Sequence, residues 1–294
     1  MAGLGICLVM NYRHIYHAGN FADVVKHAVL AMAIERLKLK DAAFRVIDTH
    51  AGIGSYDLSA DAARKTGEWR GGIGRLMGPD AAPLPARVAR ELAPYLDVVR
   101  GLNPPGEIVR YPGSPRIARA LLRPQDRLVA NELHPQDRVS LKGQFARDRQ
   151  TQVMELDGWI ALKALLPPKE RRGIILVDPP FEEAGELERL AAALGEGVKR
   201  FATGVYLLWY PIKDKRQIRT FKQRLAGLGL PKLTCLELHI READDPAVLS
   251  GCGLVMLNPP FGLDVALKAV MPVLAGRLSV EGRGRWSLDA LSPE

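Results

Sequence analysis

Along the chain, short apolar runs alternate with longer stretches whose apolar residues recur every three or four positions. That rhythm is what a largely parallel sheet covered by helices produces. Strands are predicted at FRVID (44–48), RLVANE (127–132), TQVMELD (151–157), GIILVD (173–178), GVYLLWY (204–210), KLTCLELHI (232–240) and CGLVMLN (252–258). Asn20 reads as the N-cap of a helix running to about Leu39, with Asp23 in its first turn near the positive end of the helix dipole. The rhythm breaks between Tyr56 and Tyr111. Pro79, Pro83, Pro85, Pro94, Pro104 and Pro105 surround one helical piece there, and the interval from Asp48 to Arg127 is far longer than a strand-to-strand crossover requires. The expected organisation is a single α/β domain over residues 1–294 carrying a small helical insertion over 57–110.

Composition narrows the class. With 47% hydrophobic and 25% charged residues the chain is an ordinary globular one, and no apolar run reaches the ~20 residues of a membrane span. Residues 1–9, before Met10, are apolar but have neither a basic start nor a cleavage-like end, so no signal peptide is expected. Cys7, Cys235 and Cys252 form no metal-spaced pair, which points to a reducing, cytosolic protein without a structural metal. A formal charge of +8 makes polyanions the natural partners.

Candidate ligand groups fall at strand ends. VIDTHAGIGSY places Asp48 at the end of the first strand and Gly52 and Gly54 in the following turn, where the backbone can approach a ligand closely. A dinucleotide fingerprint needs a further glycine at position 57, which is Asp57, so a pyrophosphate ligand and an NAD-dependent reductase are disfavoured. Glu132 ends the second strand, where an acid accepts ribose hydroxyls; Asp157 and Gly158 end the third, where an acid accepts from an adenine amino group. Each acid alone is equally well a solvated strand end. Three at successive carboxyl ends suit a ligand with ribose and adenine but no phosphate, such as S-adenosyl-L-methionine.

Two stretches nearly repeat: VDPPF (177–181) and LNPPF (257–261). In such a motif the acid and the first proline's carbonyl accept the two hydrogens of a base amino group, proline stiffens the carbonyl's direction, and the aromatic ring offers a stacking face. Asp178, Pro179 and Phe181 are thus candidate catalytic residues, with Asp178 also able to take the departing proton. Strand order ranks the two copies. The first ends the fourth predicted strand on the ligand side, whereas the second ends a seventh strand expected antiparallel beside the fifth, so Asn258 to Phe261 should be a turn at the opposite edge.

NYRHIYHAGNFADVVKH (11–27), followed by DTHAGIG, YPGSP, NELHP, LDGW and VDPPFE in this order, closely resembles the bacterial 23S ribosomal RNA adenine-N6 methyltransferase family RlmJ. The resemblance runs from about Met10 to the C-terminus. It implies a class I (Rossmann-like) methyltransferase with a seven-stranded sheet, the last strand antiparallel, and a small helical insertion. It also implies cofactor contacts at His27, His50, Ser114, Glu132, Asp157 and Gly158, proton acceptance at Asp178, and an RNA contact at Tyr12. Without the family, His27 and His50 read as packing or capping histidines.

In YPIKDKRQIRTFKQRL, Lys213, Arg216, Arg219 and Lys222 are spaced by three, while Ile218, Phe221 and Leu225 mark an apolar side. A basic helix face is expected, with Arg216 and Arg219 as candidate RNA phosphate contacts. The expected protein is a cytoplasmic monomer acting on 23S ribosomal RNA, independent of membrane and metal. A DNA adenine methyltransferase and a non-catalytic RNA-binding or ribosome assembly factor are the alternatives.

Overall fold

The structure is a computed structural model and describes residues 13–242, 245–280 and 282–291. Tyr12 lies outside the described residues. All seven predicted strands are present: β1 (Arg45–Asp48), β4 (Arg127–Asn131), β5 (Thr151–Met154), β6 (Gly173–Val177), β7 (Val205–Ile212), β8 (Leu233–His239) and β9 (Gly251–Leu257). The sheet itself has eight strands rather than seven, in the order β10-β8-β9-β7-β6-β1-β4-β5. The additional edge strand, β10 (Arg285–Ala290), pairs antiparallel with β8. Its side chains are exposed or only half-buried, so no apolar run marks it in the sequence.

Strands β5, β4, β1, β6 and β7 are parallel, and β9 lies antiparallel between β7 and β8. From β1 the chain moves outward to β4 and β5, then returns to place β6 on the other side of β1. The carboxyl ends of β1 and β6 therefore flank a point where strand order reverses, which is where open α/β sheets bind ligands. Alternate residues of the strands feed two cores. In β6, Ile174 and Leu176 join one and Ile175 and Val177 the other; in β7, Leu207 and Leu208 divide in the same way. Burial on both faces explains why these strands read as continuous apolar runs.

On the first face lies α1 (Phe21–Lys38), capped by the Asn20 side chain, which accepts from the N–H groups of Ala22 and Asp23. Nearly all of α1 is buried because α4 (Ala86–Arg100), α5 (Ser114–Leu121) and α10 (Leu263–Leu278) pack around it. The second face carries α7 (Gly158–Ala164), α8 (Glu186–Arg200) and α9 (Lys215–Ala226). A two-stranded ribbon, β2 (Ser55–Asp57) with β3 (Arg110–Pro112), closes the base of the segment holding α2 (Asp61–Thr66), α3 (Gly74–Met77) and α4. The remaining helix, α6 (Pro135–Gln144), follows β4.

Candidate active site

A cavity of about 790 Å³ opens at the carboxyl ends of the parallel strands, within the range of small-ligand sites. One side is built from the loops after β1, β4 and β5. Gly52 has φ 61° and Gly54 φ 82°, left-handed values that favour glycine. The Gly52 N–H donates to Glu132 Oε2 at 2.7 Å, and His134 N–H donates to the other carboxylate oxygen at 2.7 Å. An N–H that a dinucleotide site would offer to pyrophosphate is thus already used by a carboxylate. Burial pushes the Glu132 carboxyl above its ordinary value, and the two N–H groups offset part of that rise.

Asp157 caps α7: its Oδ1 accepts from Trp159 N–H at 2.9 Å and Ile160 N–H at 3.1 Å. Asp157, expected at a strand end as either a ligand acceptor or a solvated acid, is thus a helix cap through Oδ1, and these two bonds leave Oδ2 open. His50 sits against Gly158, where a Cβ would lie 2.3 Å from His50 Nε2, so only glycine fits. The Thr49 hydroxyl donates to the Leu176 carbonyl at 3.0 Å, so its oxygen accepts from His50 Nδ1–H at 2.8 Å. This assigns the tautomer and leaves Nε2 as a bare acceptor. Burial lowers the His50 pKa to about 4, keeping the ring neutral. His27 is likewise driven down, to about 3, by burial, and its Nδ1 pairs with the Tyr111 hydroxyl at 2.8 Å. Asp48 is buried, with no hydrogen-bond partner for Oδ2 among the described residues; burial raises it to about 7, partly offset by the Ser114 hydroxyl beside it.

The other side is the end of β6. Asp178 Oδ2 accepts from the Lys26 ammonium, which also pairs with Asp23 Oδ1 at 2.8 Å. Asp23 in turn accepts from Gly19 N–H at 2.9 Å and meets His14 Nε2 at 2.9 Å. Burial alone would pull the Lys26 ammonium down, but Asp178 and Asp23 outweigh it and hold the pKa above the usual value. Phe181 has φ 54°, uncommon for a side chain with a Cβ, and its ring meets Trp209 edge-on with centroids 5.6 Å apart. The turn is held by buried Glu186, whose carboxylate accepts from the N–H of Glu183, two residues past Phe181, at 3.1 Å. Asp178, Phe181 and Trp209 all line the cavity.

The nine predicted cofactor-side and catalytic residues, His27, His50, Ser114, Glu132, Asp157, Gly158, Asp178, Pro179 and Phe181, line this one cavity. Arg216 and Arg219 do not; they are exposed on α9. The predicted four-residue basic face needs correction. Lys222 is drawn into ion pairs with Asp289 at 2.8 Å and Glu237 at 3.3 Å, and Lys213 lines the cavity ahead of α9. The second PPF copy lies at the opposite edge. Asn258 Nδ2 donates to the carbonyls of Ala202 and Gly204, which precede β7, at 2.8 and 2.9 Å. Its Phe261 is 97% exposed. The sequence did not single out Lys26, Trp209 or Glu186, since each acquires its place only when α1, β6, β7 and α8 converge.

Acceptors at Glu132, Asp157 Oδ2 and His50 Nε2, with the glycine turn's N–H turned inward, fit a nucleoside without phosphates. The sheet order and this acceptor set define a class I, S-adenosyl-L-methionine-dependent methyltransferase. A sequence model of the family described as "Ribosomal RNA large subunit methyltransferase D, RlmJ" matches residues 41–292, and the chain belongs to that family. It is 42% identical over 287 residues to "Ribosomal RNA large subunit methyltransferase J" of Haemophilus influenzae, covering 97% of this chain and 100% of that protein. The protein of the same name from Escherichia coli is also 42% identical, over 97% of this chain and 100% of its own length. Among solved structures, protein LPL1258 of Legionella pneumophila superposes with a TM-score of 0.84 at 32% identity, covering 93% of this chain and 98% of that one.

Proposed function

We propose that this chain methylates N6 of one adenine in 23S ribosomal RNA, with S-adenosyl-L-methionine as methyl donor. The observation that carries the reading is the joint placement of Asp178, Pro179 and the Phe181–Trp209 ring pair in the cavity that also holds Glu132, His50 and Asp157. The family and both named relatives support ribosomal RNA as the substrate.

Adenine N6 is a poor nucleophile because its lone pair is delocalised into the ring. Lys26 occupies Asp178 Oδ2, so Oδ1 is left to accept one amino hydrogen while the Pro179 carbonyl accepts the other. Holding both hydrogens turns the lone pair out of conjugation. The base, extruded from its stack at a cost of a few kcal/mol, rests against Phe181, a contact worth roughly 1–3 kcal/mol. Bound S-adenosyl-L-methionine supplies an electrophilic sulfonium methyl. Glu132 would hold its ribose, and Asp157 Oδ2 and His50 Nε2 would take its amino hydrogens. After transfer N6 carries an extra proton, which the Asp178 carboxylate accepts; the acid is then neutral, and Asp23 remains as the carboxylate paired with the Lys26 ammonium.

The test is nucleoside mass analysis after incubation with the cofactor and either 23S RNA or duplex DNA. N6-methyladenosine in the RNA alone is expected; N6-methyldeoxyadenosine would favour a DNA enzyme. Neither product, with no cofactor bound in calorimetry, would favour a non-catalytic RNA-binding factor.

A further inference from the structure

The segment between β2 and β3 carries charge that the proposed chemistry does not use. Arg64 and Lys65 in the last turn of α2, and Arg70 in the 3-10 turn Glu68–Gly71, are exposed, and among the described residues no acidic side chain pairs with them. They are held together by the backbone. Gly67 takes a left-handed φ of 62°, and the position its Cβ would occupy is 3.0 Å from Arg70 Nη1, so the Arg70 side chain folds back toward the end of α2. Its guanidinium also lies 5.4 Å from the Trp69 ring centroid.

Glu68, the acid between these cations, is turned toward the cavity rim. It accepts from Asn20 Nδ2 at 3.0 Å and meets His17 Nδ1 at 3.0 Å. That hydrogen bond raises the His17 pKa, so the acid's charge is balanced on the rim side. Thr66 Oγ1 donates to the Tyr16 carbonyl at 2.5 Å, fastening the end of α2 to the turn His14–Tyr16. His17 and Asn20 both line the cavity. Lys213, exposed and also lining it, is close enough to act electrostatically on His17. The turn that ends at His17 is therefore fastened to the end of α2 on one side, while His17 lies within electrostatic reach of Lys213, which leads into α9, on the other. No large apolar side chain between 61 and 75 is exposed. Such a surface offers charge without an apolar anchor, which suits a phosphate backbone.

We propose that Arg64, Lys65 and Arg70 form a second phosphate-contact surface, which holds the RNA backbone on one flank of the target adenine while Lys213 and α9 hold the other. This rests on the reading of the cavity as an RNA adenine-methylating site. The two basic sets fix the strand across the mouth, and the aromatic slot receives only the extruded base. Base identity is then read in the cavity and the register of the strand by the two arms.

The test compares wild type with the triple variant Arg64→Gln, Lys65→Gln, Arg70→Gln in methyl transfer to a 23S fragment across a range of salt. The expected variant has a KM about tenfold higher at low salt and a log–log salt dependence shallower by about two units, as loss of three single-strand phosphate contacts implies. Its kcat at saturating RNA and its thermal midpoint should match wild type. Removing equal charge from the amino ends of strands, with Lys40→Gln, Lys199→Gln and Lys232→Gln, should leave KM and slope unchanged. If wild type methylates RNA and the Arg64/Lys65/Arg70 variant keeps its slope, or if both triple variants shift alike, the proposed surface is wrong. If wild type transfers no methyl to RNA at all, the reading beneath it falls as well.

Discussion

The Lys26 ammonium hydrogen-bonds Asp178 Oδ2 at the end of β6 while pairing with Asp23 one turn back on its own helix. A single cation thus ties the long buried helix to the candidate catalytic acid. With Lys26 and Asp23 almost fully buried, removing the cation leaves two carboxylates facing a low-dielectric interior. Lys26→Met is expected to lower stability by about 3–5 kcal/mol in urea denaturation and to depress methyl transfer even at saturating cofactor. Wild-type stability in that variant would mean that the pair is not formed.

Asp48 predicts a pH effect of definite sign. Its carboxyl titrates at about 7 in the fold because it is buried, against about 3.9 in an unfolded chain. Between those values the unfolded chain has released the proton and the folded one retains it, so rising pH favours unfolding through this group. The stability it contributes is fully present below about pH 4 and lost as pH rises through the folded value. Thermal melts of the ligand-free protein should therefore show Asp48→Asn gaining on wild type from pH 4 to pH 8. A constant difference across that range would contradict the burial argument.

Glu186 holds the turn that follows Phe181 through the N–H of Glu183. Gln can still accept from it and Ala cannot. Glu186→Ala should lose kcat by about ten- to a hundredfold through misplacement of the ring, with Glu186→Gln retaining most of it and cofactor affinity unchanged in both. Equal losses in the two variants would place the role elsewhere.

Asn258 spends its side chain on the two carbonyls leading into β7, at a left-handed φ of 51°. Asn258→Ala should cost about 1–3 kcal/mol of stability while leaving methyl transfer within twofold of wild type. An inactive but stable variant would show that the wrong PPF copy had been assigned the chemistry.

Much of this was legible in one dimension because a strand buried on both faces is a plain apolar run and because its last residue marks the ligand edge. Asp48, Glu132 and Asp178 could each be placed by that rule, and the rank of the two PPF turns followed from strand order; Asp157 lies three residues past the half-exposed edge strand β5, as the cap of α7. β10 escaped because Arg285 to Ala290 lie half-exposed at an edge, where nothing enforces an apolar pattern. Lys222 misled because spacing by three reports a helix face but not what packs beside it, and Asp289 and Glu237 come from distant strands. Lys26 was illegible for the same reason. An Asp23/Lys26 pair on one helix is commonplace until the fold brings Asp178 against it.

The proposed function requires the acid ending β6 to activate an adenine amino group for methyl transfer in RNA. Single-turnover transfer of labelled methyl from S-adenosyl-L-methionine to 23S RNA, comparing wild type with Asp178→Ala, tests it most directly. Label should be recovered as N6-methyladenosine with wild type, and the variant should react at least about a hundredfold more slowly while still binding the cofactor. Undiminished transfer by Asp178→Ala, or label on any atom other than adenine N6, would contradict it.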